Sequence, residues 1–290
     1  MRKRRHHGAG IVALALIFAA ACAGPSAPPA SGPLRILVTN DDGIGAKGIA
    51  VLAEALRELG EVTVVAPENG RSGSSHGVTS EHPIRAKEGD RGGMRWIAVD
   101  ALPATCVRLA IERLLPVRPD VVVSGINRGE NLGTVTFYSA TVGAAREAAF
   151  LGIPSIAVNL AASEEMDYGT AATVTAAVIR ELGRNGIARG TFLNINVPAL
   201  PQERLRGVRV TRQDMRAPID FFEKEALPDG SAIYKPRWEH LEPGAEGTDI
   251  WAVRNGYVSV SVFGFDQSAA APPASARALR RLESLPLGRD

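Results

Sequence analysis

The chain has 290 residues, 45% of them hydrophobic, and a formal net charge of +2. That apolar content suffices to bury one large core with a smaller appendage. Four of its 33 basic residues are Arg2, Lys3, Arg4 and Arg5; without them the balance turns slightly acidic, near −2, which excludes a nucleic-acid polymer as the expected partner.

Residues 1–21 have the build of a secretory signal. A basic start is followed by an apolar run from Ile11 to Ala21, too short to span a bilayer comfortably, and by small residues before Cys22. Ala19-Ala20-Ala21-Cys22, with Gly24 close behind, resembles a bacterial lipobox, in which the cysteine is lipidated and becomes the new N-terminus; Ala19 stands where a large aliphatic residue is usual. Plain secretion and an uncleaved start are the alternatives, and Arg4-Arg5 lacks the consensus that follows in twin-arginine export. The expectation is an exported lipoprotein facing the periplasm or the cell exterior, touching the membrane only through its lipid. Residues 22–33, rich in Pro, Ala and Ser, then form a flexible tether. With Cys22 so used, Cys106 has no disulfide partner and reads as an inert core thiol.

The body is expected over residues 34–265. Ile36 to Thr39 reads as a short buried strand that stops at Asn40-Asp41-Asp42-Gly43, and Ala46 to Leu59 as a helix with Ile49, Leu52, Leu56 and Leu59 on one face. This is the first βα unit of a parallel sheet, in which ligands collect beyond the carboxyl ends of the strands. Two adjacent carboxylates there repel each other unless a cation or hydrogen-bond donors lie between them; alternatively, the stretch is a turn that caps the next helix. Glu61 to Ala66 is a second strand, closed by a Gly- and Ser-rich loop from Pro67 to Gly77 able to offer N–H groups and hydroxyls to an oxyanion. His76 in this loop reads as a loop hydrogen-bonder.

Trp96 to Val99 reads as a strand, Pro103 to Leu115 as a helix, and the valine-rich Asp120 to Ser124 as a strand buried on both faces. It breaks at Ser124-Gly125-Ile126-Asn127-Arg128-Gly129-Glu130-Asn131-Leu132-Gly133, whose glycines let backbone approach a ligand closely. Tyr138-Ser139-Ala140-Thr141 opens a helix to Phe150. Ser139 and Thr141 sit where free N–H groups favour a phosphate, or Ser139 is a plain N-cap; Arg146 and Glu147 read as a solvated face. Pro154 to Asn159 is a strand, Gly169 to Leu182 a helix and Thr191 to Val197 a strand. A β-rich extension follows over about 206–262, with strands at Val208 to Thr211, Ala232 to Lys235 and Tyr257 to Val262, and a turn at Thr248-Asp249. Residues 266–290 form a tail with a final helix from Pro273 to Leu285.

The strand-end loops thus supply Asp41, Asp42, Ser72 and Asn127, all oxygen ligands, with no accompanying His or Cys set. Such donors favour Mg²⁺, Mn²⁺ or Ca²⁺ over Zn²⁺. Asn131, Ser139 and Thr141 suit phosphate oxygens, and a cation beside an anion cradle is equipment for phosphoryl hydrolysis.

Four motifs in order, Asn40-Asp41-Asp42-Gly43, Arg71-Ser72-Gly73, Ser124-Gly125-Ile126-Asn127 with Gly129, Asn131 and Gly133, and Tyr138-Ser139-Ala140-Thr141-Val142, closely resemble the SurE family. The resemblance runs from about Leu34 to about Val262. It implies a Rossmann-like αβα body with a mostly parallel sheet, and a β-hairpin-bearing extension that builds homodimers or homotetramers. It further implies a metal-dependent 5′-nucleotidase acting on nucleoside monophosphates, with broader acid phosphatase activity. Carried over, Asp41, Asp42, Ser72 and Asn127 hold one divalent ion per subunit (Mg²⁺ or Mn²⁺, with Ca²⁺ a further candidate). Gly43, Asn131, Ser139 and Thr141 contact the phosphate, and Asp41 also serves the attacking water. Two departures bear on the site. Ala140 replaces the family's usual Gly and is expected to crowd the phosphate or shift the turn. Ala101-Leu102-Pro103-Ala104-Thr105-Cys106 replaces a typical Gly-Thr-Pro-x-Asp-Cys stretch, which alters the neighbouring pocket. The alternative reading is an exported nucleotide- or phosphate-binding lipoprotein without turnover.

Overall fold

The computed structural model describes residues 32–183, 186–216, 219–239 and 243–265. The signal, the lipobox cysteine, nearly all of the tether and the expected helix at Pro273 to Leu285 lie outside the described residues. Eleven strands are described, nine of them in one sheet in the order β3-β4-β2-β1-β5-β6-β7-β11-β8. The central six run parallel: β4 (Met94–Val99), β2 (Gly60–Pro67), β1 (Leu34–Thr39), β5 (Val121–Arg128), β6 (Ser155–Leu160) and β7 (Thr191–Val197). They read as near-continuous apolar runs because helices cover both faces.

Helices α1 (Lys47–Leu56) and α4 (Tyr168–Leu182) pack on one face through Ile49, Leu52, Leu56, Ala172 and Ile179. On the other lie α2 (Pro103–Leu109) and α3 (Ala140–Phe150), with Leu37, Val65, Ile97, Val107 and Ala148 between the layers. This is the expected three-layer α/β body. The helix expected over Pro103 to Leu115 divides: after Leu109 the turns widen to π geometry over Ala110–Leu114.

Several elements escaped the pattern reading, among them the strand β9 (Ile219–Ala226). β3 (Ala86–Arg91) forms an antiparallel hairpin with β4, yet all six of its residues are exposed, so no apolar alternation marks it. A short helix, α5 (Asp249–Arg254), stands where Thr248-Asp249 suggested a turn, with the Thr248 hydroxyl capping it at Trp251 N. In the C-terminal part, β8 (Val208–Thr211) and β11 (Val258–Gly264) extend the main sheet, β11 antiparallel to β7. Only β9 (Ile219–Ala226) and β10 (Ala232–Glu239) form a separate two-stranded hairpin. Among the described residues no helix is long and apolar enough to cross a membrane.

The chain builds outward from β1 in two directions, through β2 on one side and β5 on the other. The crevice beyond the carboxyl ends of β1 and β5 is therefore a topological switch point, the place where open α/β sheets bind ligands.

Candidate active site

β1 ends at Thr39 directly into the Asp41-Asp42 turn. Asn40 Nδ2 donates to Gly43 O at 2.9 Å and Ala46 N donates to the same carbonyl at 3.0 Å, while Gly43 takes a left-handed φ of 96°. The turn is thus a pinned loop with Asp41 buried and Asp42 half-buried. The Thr141 hydroxyl donates to Asp41 Oδ1 at 2.5 Å, and the Arg128 N–H donates to Asp42 Oδ2 at 3.3 Å. Helix α3 and the β5 loop each hold one carboxylate of the pair.

The loop after β2 packs against both neighbours. Arg71 N donates to Asp41 O at 2.7 Å, which sets the exposed Ser72 beside the acidic pair. Ser75 N donates to Tyr138 O, and a Cβ on Gly143 would collide with Ser75 O, so α3 needs glycine there to approach the loop. Glu147 corrects the solvated-face reading. It is 3% exposed and pairs with His76 Nε2 at 2.8 Å and with the Arg108 guanidinium. Both partners hold its carboxyl below the usual range against the opposing effect of burial. Arg146 is half-buried, with its guanidinium 5.8 Å from the centre of the Phe192 ring. The polar side of α3 faces protein because the 67–77 loop covers it.

Asn127 follows an irregularity in β5, where the pairing with β6 slips between Ser124 and Asn127 and re-aims the side chain. Its Nδ2 donates to Gly129 O at 2.9 Å, leaving the carbonyl oxygen as a ligand atom. Asn131 behaves differently from expectation. It turns inward, donating from its backbone N–H to Asn196 Oδ1 and from Nδ2 to Asn159 Oδ1, while its carbonyl accepts from Asn194 and Asn196. In this conformation one hydrogen of its amide anchors the loop. Sequence reading missed Asn159, Asn194 and Asn196, although three asparagines in buried strands were the available signal. It also missed Asp249, whose carboxylate takes the N–H groups of Gly133 (2.7 Å) and Asp214 (2.9 Å) and clips the far end of the same loop.

Ser139 is the N-cap of α3, accepting from Val142 N at 3.2 Å. Ala140 is fully buried as the first helical residue. Cys106 is buried, and burial pushes its thiol up to about 12, which keeps it protonated.

Burial, reinforced by the charge of Asp42, pushes Asp41 up to about 6 against the hydrogen bonds from Thr141. Asp42 is raised as well, again by burial, with the Arg128 N–H and charge opposing. Around the pair, Thr39 Oγ1, Asn40 Oδ1 and Ser124 Oγ are buried without a hydrogen-bond partner among the described residues. Adjacent carboxylates, one buried and one half-buried, ringed by amide and hydroxyl oxygens, fit a hard divalent cation. Among the described residues no three His, Cys, Asp or Glu come together, so such a cation would draw its remaining protein ligands from Ser72 and Asn127.

The metal-free protein carries the cost of the Asp41 charge. Below about pH 4 the carboxyl is protonated folded and unfolded alike, and nothing is lost. Between there and pH 6 the unfolded chain ionises first, so stability falls, and a rise from 3.8 to about 6 corresponds to about 3 kcal/mol. Asp41→Asn should therefore stabilise metal-free protein by about 2–3 kcal/mol at pH 7.5 and by only about 0.5 kcal/mol at pH 4. Urea denaturation in EDTA at both pH values tests this; an equal effect at both would show that Asp41 is not held in a strained charge state.

A model of the family described as survival protein SurE matches residues 36–219. A 5′/3′-nucleotidase SurE from Cronobacter sakazakii is 47% identical over 239 residues, covering 81% of this chain and 92% of that one. A 5′-nucleotidase SurE from Alkalilimnicola ehrlichii is 46% identical over 233 residues, covering 79% and 88%. The crystal structure of the SurE protein from Aquifex aeolicus superposes with a TM-score of 0.75 at 38% identity, covering 86% of this chain and 99% of that one. With the same switch-point fold and most of its length matched at this identity, the chain belongs to the SurE family.

Proposed function

We propose that this protein is a divalent-metal-dependent phosphomonoesterase that hydrolyses nucleoside 5′-monophosphates to nucleoside and phosphate, and accepts other phosphomonoesters. The observation that carries the reading is the Asp41–Asp42 pair at the β1/β5 crevice, Asp41 buried and Asp42 half-buried, facing the start of α3. Relatives named 5′-nucleotidase or 5′/3′-nucleotidase at 46–47% identity support it.

Asp41, Asp42, Ser72 and Asn127 hold one divalent ion per subunit, Mg²⁺ or Mn²⁺, with Ca²⁺ a further hard cation of the right class. Bound there, the ion supplies neutralisation of phosphate charge and a lowered pKa for water. The phosphate rests on the Gly43 backbone, on the Ser139 hydroxyl and on the positive end of α3, beside Thr141, which gives its hydroxyl and backbone N–H to Asp41. Asn131 serves this cradle by fixing the loop. Thr141 orients Asp41 through its hydroxyl, and Asp41 positions the attacking water and takes its proton.

Phosphate release from AMP, 3′-AMP and p-nitrophenyl phosphate should require Mg²⁺ or Mn²⁺ and cease in EDTA. Asp42→Ala should lower kcat/KM by more than about 100-fold, since even changes behind a metal ligand cost 10–100-fold. Undiminished turnover in EDTA would remove the metal from the reading, and folded protein that binds AMP without turnover would remove the enzyme.

The β9–β10 hairpin carries the exposed apolar residues Phe222, Ile233 and Tyr234. A lone two-stranded ribbon is marginal in water, and such side chains point to a contact surface. The hairpin mediates a homodimer or homotetramer. Light scattering should give a multiple of the chain mass that falls to the monomer when residues 219–239 are replaced by a short Gly-Ser link; an unchanged mass would assign assembly elsewhere.

The protein is exported and membrane-anchored through lipid on Cys22, a reading supported by the basic start, the apolar run to Ala21 and the small residues before the cysteine. Labelled fatty acid should enter the wild-type chain in the native host and be absent from Cys22→Ser; equal labelling of both would end this assignment.

A further inference from the structure

Beside the acidic turn lies an open cavity of about 250 Å³ that none of the phosphate groups lines. Arg71, Thr79, Asp100 and Leu102 form its sides, with Glu81 and His82 exposed at the rim. Its place follows from the sheet. Asp100 and Ala101 come directly after β4, and β4 pairs with β2, which pairs with β1. Neighbouring strands lie about 4.8 Å apart, so the mouth of the cavity is about two strand spacings from the Asp41–Asp42 turn. Arg71 belongs to both places: its N–H holds Asp41 O at 2.7 Å, and its guanidinium donates to Asp100 Oδ1 at 3.2 Å.

The chemistry of the walls selects the occupant. Asp100 Oδ2 makes no hydrogen bond among the described residues, while Oδ1 is fixed by Arg71, so the carboxylate is oriented with one acceptor edge unused. A second anionic group is disfavoured, because Asp100 answers the Arg71 charge and Glu81 adds a negative one. A group with paired hydroxyl donors fits, as does an apolar ring against Leu102 and Val78. A carboxylate beyond the end of a parallel strand is a recurrent partner of ribose hydroxyls.

We propose that this cavity is the nucleoside subsite, with Asp100 accepting hydrogen bonds from the ribose hydroxyls and Arg71 as the positioning residue that ties it to the phosphate site. The assignment rests on the nucleotidase reading and deepens it. Thr79 shapes the wall, its hydroxyl accepting from Leu102 N at 2.9 Å and its N–H donating to Thr105 Oγ1 at 2.8 Å. Ala101 and Leu102, two positions of the stretch that departs from the family pattern, therefore border the nucleoside.

The test compares AMP, 2′,3′-dideoxy-AMP and p-nitrophenyl phosphate on the full enzyme with Mg²⁺, for the wild type, Asp100→Ala and Asp100→Asn. The Arg71–Asp100 pair is more than a third exposed on both sides, so its loss should leave folding intact. Wild type should prefer AMP over the dideoxy nucleotide. Asp100→Ala should lower kcat/KM for AMP by about tenfold, mainly through KM, and erase that preference. Selectivity for AMP over p-nitrophenyl phosphate should fall by the same factor, and Asp100→Asn, which keeps one acceptor, should lie between. An equal loss on all three substrates, or an AMP preference that survives Asp100→Ala, overturns the subsite while the phosphatase stands. No turnover of any substrate by the wild type overturns the nucleotidase reading and the subsite with it.

Discussion

The structure depends on keeping the Asp41 carboxylate buried where, among the described residues, no side-chain cation pairs with it. A charge placed there is tolerated only if something answers it. Thr141 from α3 answers it directly with its hydroxyl, while the Arg71 N–H on the Asp41 main-chain carbonyl pins the turn and the Arg128 N–H holds the adjacent Asp42. Remove the cation such a site is shaped for, and the carboxyl is pushed toward its neutral form. Burial strengthens each hydrogen bond in the crevice and at the same time makes the metal-free site costly.

Around that centre the loops are held by buried polar groups. Asn159, Asn194 and Asn196 lie on one face of β6 and β7, where a sheet core would ordinarily be apolar, and their amides close on the backbone and side chain of Asn131. Asp249, drawn up by burial, clips Gly133 from the other side. Polar groups at this depth are stable only when nearly every donor and acceptor is paired, which makes the loop rigid. The His76–Glu147–Arg108 cluster holds the Ser72 loop to α3 in the same way.

The strands β1, β2, β5, β6 and β7 were legible because burial on both faces demands unbroken apolar runs, and the metal-type oxygen donors were legible because strand-end Asp and Asn residues do not pack a core. β3 was not, since its six exposed residues carry no periodicity. Glu147 was misread for a related reason. Helical spacing reveals which side of α3 is polar but not whether solvent or a folded-back loop lies against it. Asn131 sits in the right motif, yet its side chain is held by Asn159, 28 residues further along, and its backbone N–H by Asn196, 65 residues further along.

Local chemistry, then, was enough to determine the α/β class, the order of the parallel strands' elements and the family, because each rests on a contiguous pattern of side chains. The tertiary structure alone decided which side chains meet: that Thr141 holds Asp41 across 100 residues, that Asn131 turns inward, and that Arg71 joins the acidic turn to Asp100. Those pairings arise from the sheet order and from the loops packing on one another, and a one-dimensional pattern carries no information about which distant partner will satisfy a buried polar group.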